Sequence, residues 1–195
     1  MDGQSNVTVI SDREPTLPNL VRRAVRGSVT HILDWWHIST RVKHIENAVQ
    51  GLLQTKGFSG VPQLFEQPAE TLRWYLWHGK VMTAAAILKV LKIDCDRLHA
   101  ETIEQRKAAR RVKARCQKLY SYLSNNFDAL TNYGRRYRNG LAVSSSRAEG
   151  CVDDIGNTRM GKRRRMRWSP QGAHHVAVTW AAVLDGRLSV SKLAA

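Results

Sequence analysis

The sequence predicts an α+β protein, mostly helical, in which a short βαβ unit with two parallel strands precedes a long helical middle. Two observations carry that prediction. Two β-branched runs that end in aspartate, Asn6 to Asp12 and Val29 to Asp34, flank a single amphipathic stretch. From Trp36 onward, helical periodicity holds for roughly a hundred residues with no further convincing strand.

Asn6-Val-Thr-Val-Ile10-Ser-Asp12 reads as a strand closed by an acidic turn, which puts Asp12 at its C-terminal edge. Leu17, Leu20, Val21, Ala24 and Val25 recur at helical spacing, Pro18 suits a first turn and Gly27 follows as a stop. Val29-Thr-His-Ile-Leu33-Asp34 is the second strand, and strand, helix and strand within about thirty residues imply a parallel crossover. Further on, Ile38, Val42, Ile45, Val49 and Leu52 form one apolar stripe, while Gly57 to Pro68 reads as a loop. Helices are expected over 69–77 and 81–93, with His78-Gly79 at the corner between them. A longer one is expected over about 100–123, where Arg106-Lys-Ala-Ala-Arg-Arg-Val-Lys-Ala-Arg115 is heavily basic and Asn125-Asn126 marks fraying. Tyr133-Gly-Arg-Arg-Tyr137-Arg-Asn-Gly140 reads as a basic, aromatic loop. Ser144-Ser-Ser-Arg147-Ala-Glu149 leads into a helix that a serine can cap. A second basic loop, Lys162 to Pro170, precedes a last helix over about 171–184. The chain thus divides into 1–36, 37–132 and 133–195.

The 195 residues suffice for one core, and 31 Lys and Arg against 16 Asp and Glu give a net charge of +15. That excess favours a polyanionic partner: nucleic acid, an anionic membrane surface or an acidic protein. No run of eighteen apolar residues and no export signal is present, so a cytoplasmic protein without a membrane span is expected. Cys95, Cys116 and Cys151 form no Cys-x-x-Cys pair, which argues against a disulfide framework or structural zinc; reduced, partly buried thiols are expected.

Three features bear on chemistry. Asp12 reads either as a turn carboxylate or as a ligand for a hard divalent cation at a parallel strand's C-terminal end. Asp34 and His37, three apart, can meet if the chain turns helical there, as a buttressing pair beside two tryptophans. Glu149 lies among the small residues Ser146, Ala148 and Gly150, and is either a solvated helix glutamate or a residue that DNA or a strand edge can approach closely. Asp153 falls one turn later and reads as solvated.

The order and spacing of these elements resemble the catalytic half of Mutator-like DDE transposases of bacterial insertion sequences. The resemblance spans nearly the whole chain. It rests on Val-Ile-Ser-Asp12, Ile-Leu-Asp34-Trp-Trp-His37-Ile, Tyr133-Gly-Arg-Arg-Tyr137-Arg, Arg147-Ala-Glu149 and Arg-Arg-Met166-Arg-Trp168-Ser-Pro170-Gln-Gly-Ala173. It implies a partial RNase H-like fold with a large helical insertion, Asp12 as the second catalytic aspartate, Glu149 as the final glutamate, and Asp34 and His37 as the supporting acidic-x-x-His element. It further implies that Asp12 and Glu149 hold Mg²⁺ or Mn²⁺ for DNA transposition, meaning metal-dependent cleavage and strand transfer at transposon ends. Arg13 stands where that family usually has glycine. The family's first aspartate has no counterpart, since Asp2 lies only ten residues before Asp12 with no strand before it; a truncated, inactive fragment is therefore expected.

Arg135, Arg136, Arg138, Lys162, Arg163, Arg164, Arg165 and Arg167 flank the Glu149 segment, interspersed with Tyr133, Tyr137 and Trp168, a pattern suited to DNA phosphates. A merely solvated basic surface or a nuclear-import signal is the competing reading of such runs. Two parallel strands rarely stand alone, so the helices are expected to carry the fold and to leave a strand edge unpaired. Self-association is left open. The rival functions are a nucleic-acid-binding protein without catalysis and a fragment that complements a separately encoded N-terminal half.

Overall fold

In a computed structural model of the chain, Val7–Ser11 (β1) and Val29–Leu33 (β2) pair in parallel, with Val7 opposite Val29 and Ser11 opposite Leu33. The structure describes residues 6–12, 16–57, 62–146, 150, 152–153, 156 and 167–188. Thr16–Ala24 (α1) makes the crossover between the two strands. The ladder opens with Val7 N–H donating to Ser28 O and closes with Asp34 N–H donating to Ser11 O, each at 3.0 Å. In a parallel pair this register turns the N–H and C=O of Thr8 and Ile10 away from β2. Among the described residues no third strand meets them.

Most of the molecule is helical. Trp35–Leu53 (α2), Pro62–Trp77 (α3), Val81–Arg97 (α4) and Ile103–Asn125 (α5) pack α2 on α3, α3 on α4, α4 on α5 and α5 back on α2, which closes a four-helix bundle. Each helix buries one stripe. Ile38, Val42, Ile45, Val49 and Leu52 of α2 meet Val112, Cys116, Leu119 and Leu123 of α5, while α3 contributes Phe65, Ala69, Leu72 and Leu76. Ala84, Leu88, Leu91 and Cys95 complete the core from α4. Burial of Cys95 carries α4 beyond the expected end at Ile93, to Arg97. No described helix is long and apolar enough to cross a membrane.

Side-chain caps set the boundaries. Thr102 Oγ1 accepts the Gln105 N–H, and Gln105 Oε1 accepts the N–H groups of Glu101 and Thr102 at 2.8 and 3.0 Å, a capping box that starts α5. Gln105 is itself buried, and its Nε2 donates to Lys56 O at 2.9 Å, which ties the exit of α2 to the start of α5. Gly79, at φ +71°, makes the corner between α3 and α4; a Cβ there would stand 3.1 Å from the Asn132 Cα, so a side chain is excluded twice over.

Two stretches expected as loops are helical. Much of the segment from Gly57 to Pro68 is the first half of α3, with Pro68 inside it. Proline deprives the Leu64 carbonyl of its helical donor, yet Phe65 and Ala69 on either side are buried, and their burial holds the helix together. The stretch from Tyr133 to Gly140 forms Tyr133–Arg138 (α6), which follows a 3-10 turn at Phe127–Ala129. Asn132 caps α6 by accepting the Arg135 N–H at 2.8 Å, and Gly140 at φ +71° lies just beyond its end.

The described residues fall into two units, 1–144 and 145–195. In the second, Pro170–Leu184 (α7) begins at Ser169, whose Oγ accepts the Gly172 N–H at 3.0 Å.

Pro68→Ala should restore the missing helical bond and stabilise the protein by up to about 3 kcal/mol, read as a higher urea midpoint. A lower midpoint would show that packing of the proline ring outweighs the lost bond.

Candidate functional site

Both strands run their C-terminal ends to one edge, and an aspartate follows each. Asp34 is buried, and its Oδ1 accepts the Trp36 N–H at 2.8 Å as the N-cap of α2. Capping converts the end of β2 into a helix start, and it fixes where His37 and Arg41, the first polar side chains on that face, project. Asp12 is different. Its side chain is 44% exposed, enough for a ligand to reach.

Three side chains surround the Asp12 carboxylate. The Tyr122 hydroxyl donates to Oδ1 at 3.0 Å, His37 Nδ1 lies 3.5 Å from Oδ2, and Arg41 Nη2 lies 3.8 Å from Oδ1. The Arg41 guanidinium also stacks on the Tyr122 ring at 4.2 Å, so α2 and α5 hold one another at the strand end. Burial, and then the Asp12 carboxylate, push the Tyr122 hydroxyl well above the ordinary phenol range; it stays a donor at any physiological pH. Arg41 Nε is buried, and no described residue accepts its hydrogen. A buried donor of this kind costs free energy unless an acceptor arrives from outside.

A second tyrosine fastens the other strand. Tyr133, buried, donates its hydroxyl to Leu33 O at 3.1 Å, and its ring meets Trp35 at 5.0 Å, which in turn meets Trp77 edge-on at 4.8 Å. Beside it, Trp35 N–H donates to Val143 O at 3.0 Å, which returns the chain to the start of α2. Across the sheet, Ser11 Oγ and His31 Nε2 are 2.9 Å apart. Burial, followed by the Arg22 charge, lowers the His31 pKa. Among the described residues no carboxylate orients its other nitrogen, so the pair satisfies a buried hydroxyl rather than forming a nucleophile. Burial pushes the Cys95 and Cys116 thiols up to about 12, which leaves both as unreactive core residues.

Of the residues singled out in the sequence, Asp12, Asp34 and His37 gather at one strand edge. Arg135 and Arg138 are exposed on α6, whereas Arg136 donates to Ala142 O and reaches Thr8 Oγ1 at 3.4 Å, bracing β1. Arg167 and Trp168 are exposed ahead of α7 in the second unit. Glu149, Lys162, Arg163, Arg164 and Arg165 lie outside the described residues. Arg41 and Tyr122 escaped the sequence reading. Arg41 carries a local signal, one helical turn beyond His37, but Tyr122 is 110 residues from Asp12 and carries none.

Tyr122→Phe should cost about 1 kcal/mol, the net worth of one hydrogen bond, measured by urea unfolding. His31 makes the stability depend on pH. Its folded pKa lies below the ordinary histidine value of about 6.5, so its contribution is complete above that pH and is lost as the pH falls through the folded pKa. His31→Gln should flatten that acid-side loss; an unchanged pH profile would assign the loss elsewhere.

No protein-family model, no curated protein and no solved structure matches the chain.

Proposed function

We propose that the chain is a DNA-handling part of a DDE-type insertion-sequence transposase of the Mutator-like kind that its motifs resemble, carrying two of the three catalytic carboxylates, Asp12 and Glu149, and inactive by itself. On this reading β1, α1 and β2 belong to an RNase H-like sheet, and α2 to α5 are the helical insertion. The supporting observation is the half-exposed Asp12 carboxylate at the C-terminal edge of a parallel pair, where α/β sheets present their ligands.

The described residues fit half of a metal site. Mg²⁺ is commonly held by one or two carboxylates together with water and substrate phosphate oxygens, and Asp12 offers one open carboxylate. Asp34 does not qualify, being buried and committed to the cap of α2. Among the described residues no three His, Cys, Asp or Glu side chains come together as a ligand set; the second carboxylate of this proposal is Glu149, carried over from the family resemblance, which lies outside the described residues. Bound between the two carboxylates, Mg²⁺ or Mn²⁺ would activate a water or a 3′-hydroxyl and stabilise the leaving oxygen. Arg41 has its own part. The partly exposed Arg41 guanidinium, whose Nη2 faces Asp12, would offer a donor to a phosphate oxygen beside that carboxylate.

DNA contact draws on Arg135 and Arg138, on Arg167 and Trp168, and on the Lys162 to Arg165 run. One specific observation favours a second reading, a nucleic-acid-binding protein without catalysis: among the described residues no three His, Cys, Asp or Glu side chains gather around Asp12. Dependence on divalent metal separates the two.

With one carboxylate of the three lacking, this chain alone should show little or no cleavage of transposon-end DNA in Mg²⁺ or Mn²⁺. Robust turnover abolished by Asp12→Ala would overturn the two-carboxylate account. If about six phosphates are neutralised, log affinity should fall against log salt with a slope of about −5. A flat response would remove the electrostatic basis of DNA binding.

A further inference from the structure

Helix α5 carries seven cations, Arg106, Lys107, Arg110, Arg111, Lys113, Arg115 and Lys118, against the single carboxylate of Glu104. Two of them are occupied: Lys113 pairs with Asp96, and Arg106 donates to the carbonyls at its own helix start. The others are exposed, and among the described residues none forms an ion pair. Lys107, Arg111, Arg115 and Lys118 recur at intervals of four, four and three, which aligns them on one face. Four residues further on, the same face ends at Tyr122, whose hydroxyl holds the Asp12 carboxylate. From Lys107 to Tyr122 the row rises about 22 Å at 1.5 Å per residue.

The floor beside this row is shaped for a close approach. A groove of about 520 Å³ between α2 and α5 is floored by Ala48, Gly51 and Ala108, and its walls carry the three cations of Lys56, Lys107 and Arg111 against the one carboxylate of Glu104. Nothing stands within 4 Å of where a Cβ on Gly51 would be. Like charges kept this close cost free energy unless a polyanion offsets them, and nothing in the bundle packing requires them.

We propose that this face of α5, with Lys56, is a track for the sugar-phosphate backbone of duplex DNA that leads to Asp12. An anionic membrane is disfavoured, because α5 spends its apolar face on Val112, Cys116, Leu119 and Leu123 and has nothing left to insert into a bilayer. Single strands are disfavoured as well. They bind on exposed aromatic platforms, and no aromatic residue stands between Lys107 and Lys118. Evenly spaced cations without base-reading groups suit phosphates and carry no sequence preference. The track extends the reading of Asp12, yet its binding rests on the charge of α5 alone and not on the catalytic assignment.

The test compares two variants of the full chain with equal loss of charge, Lys107→Ala/Arg111→Ala/Arg115→Ala on α5 and Arg22→Ala/Arg23→Ala/Arg26→Ala in and just after α1. Alanine at exposed helix positions preserves the fold. Affinity for a duplex of arbitrary sequence and about thirty base pairs is measured by fluorescence anisotropy across a salt series in EDTA, so that no metal site contributes. The α5 variant should bind at least about tenfold more weakly, with a salt slope shallower by about 2.7, three contacts at 0.9 each. The α1 variant should change less than about twofold. Equal losses in both variants would reduce the effect to net charge and overturn the proposal, as would an unchanged α5 variant. Tighter binding of single-stranded DNA or of phosphatidylserine vesicles than of the duplex would overturn the choice of ligand. Because the titration runs in EDTA and no altered residue is a catalytic carboxylate, failure of the catalytic reading leaves this result intact.

Discussion

A parallel pair of five-residue strands cannot support itself, and the placement of Asp12, Asp34 and His37 follows from how that pair is held. Two tyrosines fasten its C-terminal edge to the helical body. Tyr133 binds the last carbonyl of β2 from α6, and Tyr122 binds the carboxylate just past β1 from α5. Each reaches across about a hundred residues of chain, so the strand end is positioned by the tertiary fold rather than by its neighbours in sequence. The cap at Asp34 adds the third fixed point, turning β2 directly into the longest seam of the bundle.

The bundle in turn explains why α2 and α5 matter more to the site than the other helices. Their apolar stripes interlock along the core, which leaves the Arg41 side of α2 and the Tyr122 side of α5 adjacent at the strand edge. The same packing forces the cations of α5 outward, since the inner face is full of Val112, Cys116 and Leu119. The cations and the tyrosine that holds Asp12 thus share one side of α5, a consequence of helical spacing.

Much of this was legible in the sequence. The two β-branched runs, the crossover between them and the stripe from Ile38 to Leu52 each follow a single period, and local period is what a sequence displays. The reading failed where a local rule was outweighed. Proline and glycine argued for a loop before Ala69, but burial of Phe65 kept the helix; basic and aromatic residues argued for a loop at Tyr133, but the Asn132 cap and the buried tyrosine made a helical turn. Asp12 was found because it closes a strand, and His37 because it begins a helix three residues after an aspartate. Tyr122 could not be found this way, for nothing near it in sequence mentions the carboxylate it serves. Arg41 could have been, by carrying the i, i+4 step one turn past His37.

The proposed transposase reading requires Asp12 and Glu149 to share one divalent cation. Mn²⁺ titration followed by electron paramagnetic resonance reads binding without requiring turnover. The account predicts one site in the unaltered chain that Asp12→Asn and Glu149→Gln each abolish, while Asp34→Asn lowers stability and keeps the site. Mn²⁺ binding that survives either of the first two substitutions, or that never appears, would contradict it.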